Sequence, residues 1–176
     1  MAENDFSIRE GASGFYQVWK KVILEPQKFY QEMPLSGGFE SPVLYLAICA
    51  TVFLLFRFIV SETLVAATVS FFLVVLAYLL GPGILMLVAQ SLFRGEGDYE
   101  GTLRVCAYAG SCLLLAWIPR IGSVAYVYAF YLIFVGMEKV HRLQRTEAAL
   151  SVLTAVPVTA LVLAFVLGKR VLQYVF

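Results

Sequence analysis

Charge is scarce in this sequence. Asp, Glu, Lys and Arg make up 14% of its 176 residues, where an ordinary globular domain carries about 25%. Neither sign dominates: the formal net charge is +1, which argues against a nucleic-acid partner. Histidine occurs once, at His141, so no site that needs two imidazoles can be built. Cysteine occurs three times, at Cys49, Cys106 and Cys112, each inside an apolar run. An odd set of thiols so placed reads as small hydrophobes and not as a disulfide framework. A cleavable signal is also lacking. The first ten residues are polar and acid-leaning with no apolar stretch behind them, so the first crossing is expected to serve as an uncleaved anchor.

What the chain has in abundance is apolar sequence, 61% by residue against about 45–50% in globular domains. The apolar residues fall into runs long enough to cross a hydrocarbon layer about 30 Å thick, which takes about 20 helical residues. The expected fold is therefore all-α and polytopic. It divides into an N-terminal cytosolic or interfacial segment, 1–41, and a transmembrane domain, 42–176, with five spans at about 43–60, 64–93, 102–118, 122–140 and 148–168.

Ahead of the spans, Phe15, Val18, Trp19, Val22 and Ile23 repeat at helical spacing, with Gln17, Lys20 and Lys21 on the other side. This is an amphipathic helix, stopped or kinked at Pro26. Two placements fit it equally: in the headgroup layer, or packed on the cytosolic end of the bundle. Residues 34–42 form a loop, and Ser41-Pro42 is a good helix start. Arg57 lies in the last turns of the first span. An intramembrane charge is by default a functional hypothesis, but near a helix end arginine more often snorkels to the interface. The second run, 64–93, measures about 45 Å at 1.5 Å per residue. Gly81-Pro82-Gly83 is expected to break it. The remainder after the break is too short to span, so one kinked, tilted helix is predicted.

Between the second and third runs, Arg94 to Tyr108 reads RGEGDYEGTLRVCAY. The spacing of Gly95, Gly97 and Gly101 is one residue too long for a dinucleotide fingerprint, and no strand precedes it. Glu96, Asp98 and Glu100 offer hard oxygens to a divalent cation, but a solvated acidic turn paired with Arg94 and Arg104 is the commoner outcome. Asp98 or Thr102 can cap the third span. Residues 117–122 turn quickly into the fourth span, so spans three and four are antiparallel neighbours. Tyr126, Tyr128 and Tyr131 enrich that span and read as interfacial packing. Glu138 and His141 share one helix face at its end. A di-iron bundle needs that pair twice and two further glutamates, so the expectation is a surface pair meeting Lys139, Arg142 or Arg145. Ala160, Ala164 and Gly168 make a small-residue row in the last span, hinting at close helix packing.

With the N-terminus cytosolic, the inside ends hold Arg9, Lys20, Lys21, Lys28, Arg94, Arg104, Lys139, Arg142 and Arg145. The outside ends hold Arg57, Arg120, Lys169 and Arg170. Nine against four predicts that orientation.

Several short motifs in this order are similar to the Yip (Ypt-interacting protein) domain family, in its short prokaryotic form. They are Trp19; Pro26-x-x-Phe29-Tyr30-x-x-Met33-Pro34; Gly95-x-Gly97-x-Tyr99 leading into Arg104-Val105-x-Ala107-Tyr108; Ile118-Pro119-x-Ile121-Gly122; and Gly136-Met137-x-x-x-His141. The family often has Tyr-Ser-x-x-Pro at the third span, whereas Tyr108 is followed here by Ala109-Gly110-Ser111-Cys112. The resemblance implies a five-helix multi-pass protein of a prokaryotic inner membrane, with self-association and a cytosolic protein partner. No nucleophile–base pair or metal set is visible, so no enzyme activity, metal or cofactor is expected. Two functions compete. A membrane scaffold would act through Glu96, Asp98, Glu100, Arg104, Glu138 and His141. A small-solute or ion permease would use a path lined by Arg57, Tyr78, Pro82, Gln90 and Tyr108. The absence of a central intramembrane charge favours the scaffold.

Overall fold

The computed structural model describes residues 6–7, 11–60 and 64–167. Arg9 and the stretch Gly168-Lys169-Arg170, whose glycine closes the small-residue row, lie outside them. Every regular element among the described residues is helical. The amphipathic stretch becomes α1, Gly11–Leu24, and Pro26 opens a second short helix, α2, Pro26–Glu32. Proline suits that first position because its missing N–H would have had no helical acceptor there. Then follow α3, Glu40–Val60; α4, Leu64–Phe93; α5, Tyr99–Ala109; a 3-10 turn, Gly110–Cys112; α6, Leu113–Ala116; α7, Ile121–Val140; and α8, Arg145–Leu167. Helix α3 starts at Glu40, ahead of Ser41, so Ser41 is not the cap and Pro42 sits within the first turn.

Among the described residues, four helices are long and apolar enough to cross a membrane: Glu40–Val60, Phe71–Phe93, Ile121–Val140 and Arg145–Phe165. The expected third span is not one of them. It arrives as α5, the 3-10 turn and α6, end to end over residues 99–116. The turn falls at the point where the resembling family often carries proline. These pieces form the axis of the molecule, and every residue from 101 to 113 is buried. Around this central rod pack α3, α4 and α7, while α8 lies lengthwise on α4. Small residues permit the close approach. At Gly136 on α7, the methyls of Val105 occupy the space a Cβ would need.

The break expected at Gly81-Pro82-Gly83 does not interrupt α4, which is helical through all three residues. Pro82 still withdraws one backbone donor. Nearby, Tyr99 Oη donates to the Leu79 carbonyl at 3.3 Å, and its ring runs past Gly83.

Helices α1 and α2 pack along the side of the rod. Val18, Val22, Phe29, Tyr30 and Met33 are buried. Trp19 Nε1 donates to the Ser111 carbonyl at 3.3 Å, at a position about 18 Å along the rod from Tyr99. Tyr128 Oη donates to the Ile23 carbonyl at 2.6 Å. The apolar stripe of α1 therefore faces protein, at mid-rod and not at the bundle's end.

Candidate functional site

The segment joining α4 to α5 is tied down at each residue by a different neighbour. Arg94 adopts a left-handed backbone, φ 55°, which turns the chain back along α4. Gly95 N–H then reaches the Ala89 carbonyl at 3.0 Å, and Gln90 Nε2 donates to the Gly97 carbonyl at 2.9 Å. Asp98 Oδ1 accepts from Gly101 N–H at 2.8 Å, satisfying one of the free donors at the start of α5. Of the two capping candidates, Asp98 takes the role.

His141, at the end of α7, is the hub of this end. It was expected at the surface beside Glu138, but it is 1% exposed. Its Nε2 lies 2.7 Å from Thr102 Oγ1, and its carbonyl accepts from Glu96 N–H at 3.2 Å. Gly95 and Gly97 both lie against the ring; a Cβ on either would stand 2.8 Å from ring atoms. Burial pushes the histidine pKa down, against Asp98, which pulls it up.

Arg104 departs furthest from expectation. Predicted in a solvated acidic turn, it is completely buried. Its Nη2 donates to the Gly38 carbonyl at 2.7 Å, and its Nε meets Glu100 Oε1 at 3.3 Å. The same Glu100 oxygen accepts from Gly38 N–H at 2.8 Å. The pair thus clamps the loop before α3 onto the second turn of α5. Gly38 sits at φ 90°, a conformation that glycine adopts without penalty.

The three acidic residues do not converge. Glu96 pairs with Arg142 at 3.1 Å, Asp98 caps α5 and Glu100 holds Arg104. Among the described residues, no group of three or more His, Cys, Asp or Glu side chains is arranged to hold a metal. Glu138 stands apart from His141 and meets Lys139 at 3.4 Å and Arg145 at 3.8 Å. Of the predicted face, then, Glu96 and Asp98 connect to His141 directly or through Thr102, Glu100 and Arg104 form a separate clamp on Gly38, and Glu138 joins α7 to the start of α8.

The five residues proposed to line a path are dispersed. Gln90 belongs to the loop end just described. Tyr108 lies in an aromatic cluster with Phe29 and Tyr45, at centroid distances of 5.0 and 5.1 Å, and its hydroxyl accepts from Phe6 N–H at 3.2 Å. Arg57 is half-buried at the far end of α3, its Nε without a hydrogen-bond partner among the described residues. Only Tyr78 and Pro82 share a cavity, of about 230 Å³, with Gly81, Cys106, Leu113 and Tyr126 among its walls. A second, about 250 Å³ and lined by apolar residues and Thr159, lies between α4, α7 and α8.

Sequence reasoning missed the polar cluster at the 3-10 turn. Tyr45 Oη and Ser111 Oγ lie 2.6 Å apart, Ser111 Oγ donates to the Tyr108 carbonyl at 2.7 Å, and Tyr30 Oη donates to the Val105 carbonyl at 3.3 Å. Only the absence of a proline after Tyr108 pointed to that stretch, and it said nothing of Tyr45 or Gly38, more than 60 residues away.

A family model described as the Yip1 domain matches residues 20–167. The chain belongs to the Yip1 domain family. Searches of curated proteins and of solved structures returned no match. In this Yip1-domain protein the scattered resemblance motifs have a common place. Trp19, Tyr30 and Gly136 all meet the central rod, to which Tyr108 belongs, and Gly95, Gly97 and His141 lock its first turn. The chain is an integral, multi-pass membrane protein.

Proposed function

We propose that this protein is a non-enzymatic membrane scaffold or organiser. It crosses a prokaryotic inner membrane five times with its N-terminus cytosolic, and residues 99–116 are the third crossing. At 1.5 Å per residue that rod is about 27 Å long, close to the hydrocarbon thickness of about 30 Å. The surplus of Lys and Arg on the α4–α5 and α7–α8 ends favours this orientation. The α4–α5 loop and the α7–α8 turn then form one cytosolic face, where the Glu96–Arg142 pair is 67% and 78% exposed and Arg145 stands free enough to meet a partner protein. Lateral contacts would come from the α8 flank bearing Ala160 and Ala164.

The observation that carries the reading is the sealed rod. Its polar groups are engaged internally, and aromatic side chains fill the space around Tyr108. A bundle organised this way offers surfaces and no aqueous route. The permease reading draws on one observation, the two cavities flanking Gly81 beside Pro82, whose walls are almost wholly apolar.

Purified protein in liposomes, assayed for ion and solute flux beside a Pro82→Ala variant, separates the two. The scaffold reading expects no protein-dependent flux. Flux that changes in the variant would overturn it. Single cysteines at Glu96 and Gln173 in a cysteine-free background should react from opposite sides of the membrane; same-side labelling would refute five crossings.

A further inference from the structure

The hydrogen bonds around His141 determine which ring nitrogen carries its proton. Thr102 Oγ1 lies 2.7 Å from the Asp98 carbonyl, which can only accept, so the single hydroxyl proton of Thr102 is committed there. The same oxygen then has only lone pairs for His141 Nε2, 2.7 Å away. The imidazole is held as the neutral Nε2–H tautomer, and Nδ1 is left bare. That atom is buried and has no hydrogen-bond partner among the described residues. It faces the backbone of Gly95 and Gly97, close enough that a Cβ on either would stand 2.8–2.9 Å from it. Protonated there, the ring would hold an N–H with no acceptor and a charge with almost no access to water.

We propose that His141 is a proton-operated latch. Neutral, it closes the α4–α5 loop onto the end of α7; protonated at Nδ1, it releases the loop. Opening breaks the Thr102–His141 bond and the Glu96 N–H bond to the His141 carbonyl, and frees the exposed Glu96–Arg142 pair that spans the same gap. The first turn of α5 is thereby uncoupled from α7, while Arg104 and Glu100 keep it tied to the loop before α3.

The charges around the ring set the balance. From α5 comes the Asp98 carboxylate, which favours the cation. From the loop come Arg94 and Glu96, and just past the ring on its own segment is Arg142, paired with Glu96. The last turn of α7 carries Glu138 and Lys139, and α8 begins with Arg145 on Glu138. Helix α4 presents the uncharged Gln90. The C-terminal dipole of α7 also favours a cation. Against these stands burial, the larger influence, which holds the closed-state pKa below that of an exposed histidine. The latch is therefore fully stable above the open-state pKa of about 6.5. It weakens as pH falls from there to the closed-state pKa, the open population rising by up to about tenfold per pH unit. Below the closed-state pKa no further opening is gained.

The inference stands on this geometry and not on the scaffold reading. Because His141 is the chain's single histidine, imidazole ¹⁵N spectra of histidine-labelled protein in nanodiscs report on it alone. The expected result is the Nε2–H tautomer at pH 7.5 and a midpoint below about 6.5. Amide protection of residues 95–98, corrected for intrinsic exchange, should begin to fall below pH about 6.5 and level off near the imidazolium midpoint. In His141→Gln, which keeps a donor but cannot titrate, protection should be flat with pH. An Nδ1–H tautomer, a midpoint at the exposed value, unchanged protection from pH 7.5 down to the midpoint, or the same pH response in His141→Gln would each overturn the proposal. Should the variant fail to fold, the native titration decides: protection lost with protonation supports the latch, and protection retained refutes it.

Discussion

Removing the guanidinium of Arg104 tests whether the buried clamp holds the rod in place. The side chain is 0% exposed, while Glu100 retains 19%. Arg104→Ala deletes the 2.7 Å bond to the Gly38 carbonyl and the 3.3 Å contact with Glu100. Breaking a buried ion pair by removing one member costs about 3–5 kcal/mol. Glu100 can still reach water and keep the Gly38 N–H, which places the loss near the lower end, about 3 kcal/mol. Glu100→Gln should cost no less, because it leaves the wholly buried cation uncompensated. The double variant Arg104→Met/Glu100→Gln should lose less than the sum of its singles, with a coupling of about 1–3 kcal/mol. Denaturant unfolding in mixed micelles, followed by the fluorescence of Trp19 and Trp117, measures all of these. A loss under about 1 kcal/mol for Arg104→Ala, within the range of exposed ion pairs, or strictly additive singles, would refute the clamp.

Two further outcomes follow from packing. Gly136→Ala drives a methyl into Val105 and should cost about 1–3 kcal/mol; adding Val105→Ala should restore part of that loss in the same unfolding assay, and no relief would mean the close approach is not the cause. The three cysteines are buried and unbonded, so the folded protein should resist a maleimide and take up three labels only when denatured. Rapid labelling of Cys112 in the native state would show that the 3-10 turn is open to solvent.

Much of the helical architecture was legible because bilayer-length apolar runs leave the backbone one solution: each run must satisfy its own hydrogen bonds. The turn at Pro26, the Asp98 cap and the antiparallel neighbours α6 and α7 were local signals of the same kind. The candidate site was legible as a list of residues but not as an arrangement. Glu96, Asp98 and Glu100 lie within five positions and look like one acidic turn, yet they face Arg142, the α5 backbone and Arg104. Arg104 and His141 looked like surface groups because a charged or titratable side chain near a helix end usually is. Their burial depended on Gly38 and Thr102, partners remote in sequence. Gln90 read as a path residue for a similar reason, before the loop folded back to meet it.

By itself the sequence determined that this is a helical membrane protein and that it belongs to the Yip1 domain family, since these rest on composition, spacing and short motifs. Tertiary structure alone decided that the third apolar run is a broken rod buried from residue 101 to 113 and not another lipid-facing helix. It also decided that the helix ahead of the spans seals that rod's flank, and that the only histidine is locked between two glycines. Periodicity says which face of a helix is apolar, but not whether lipid or protein covers it. That choice belongs to contacts between residues far apart in the chain.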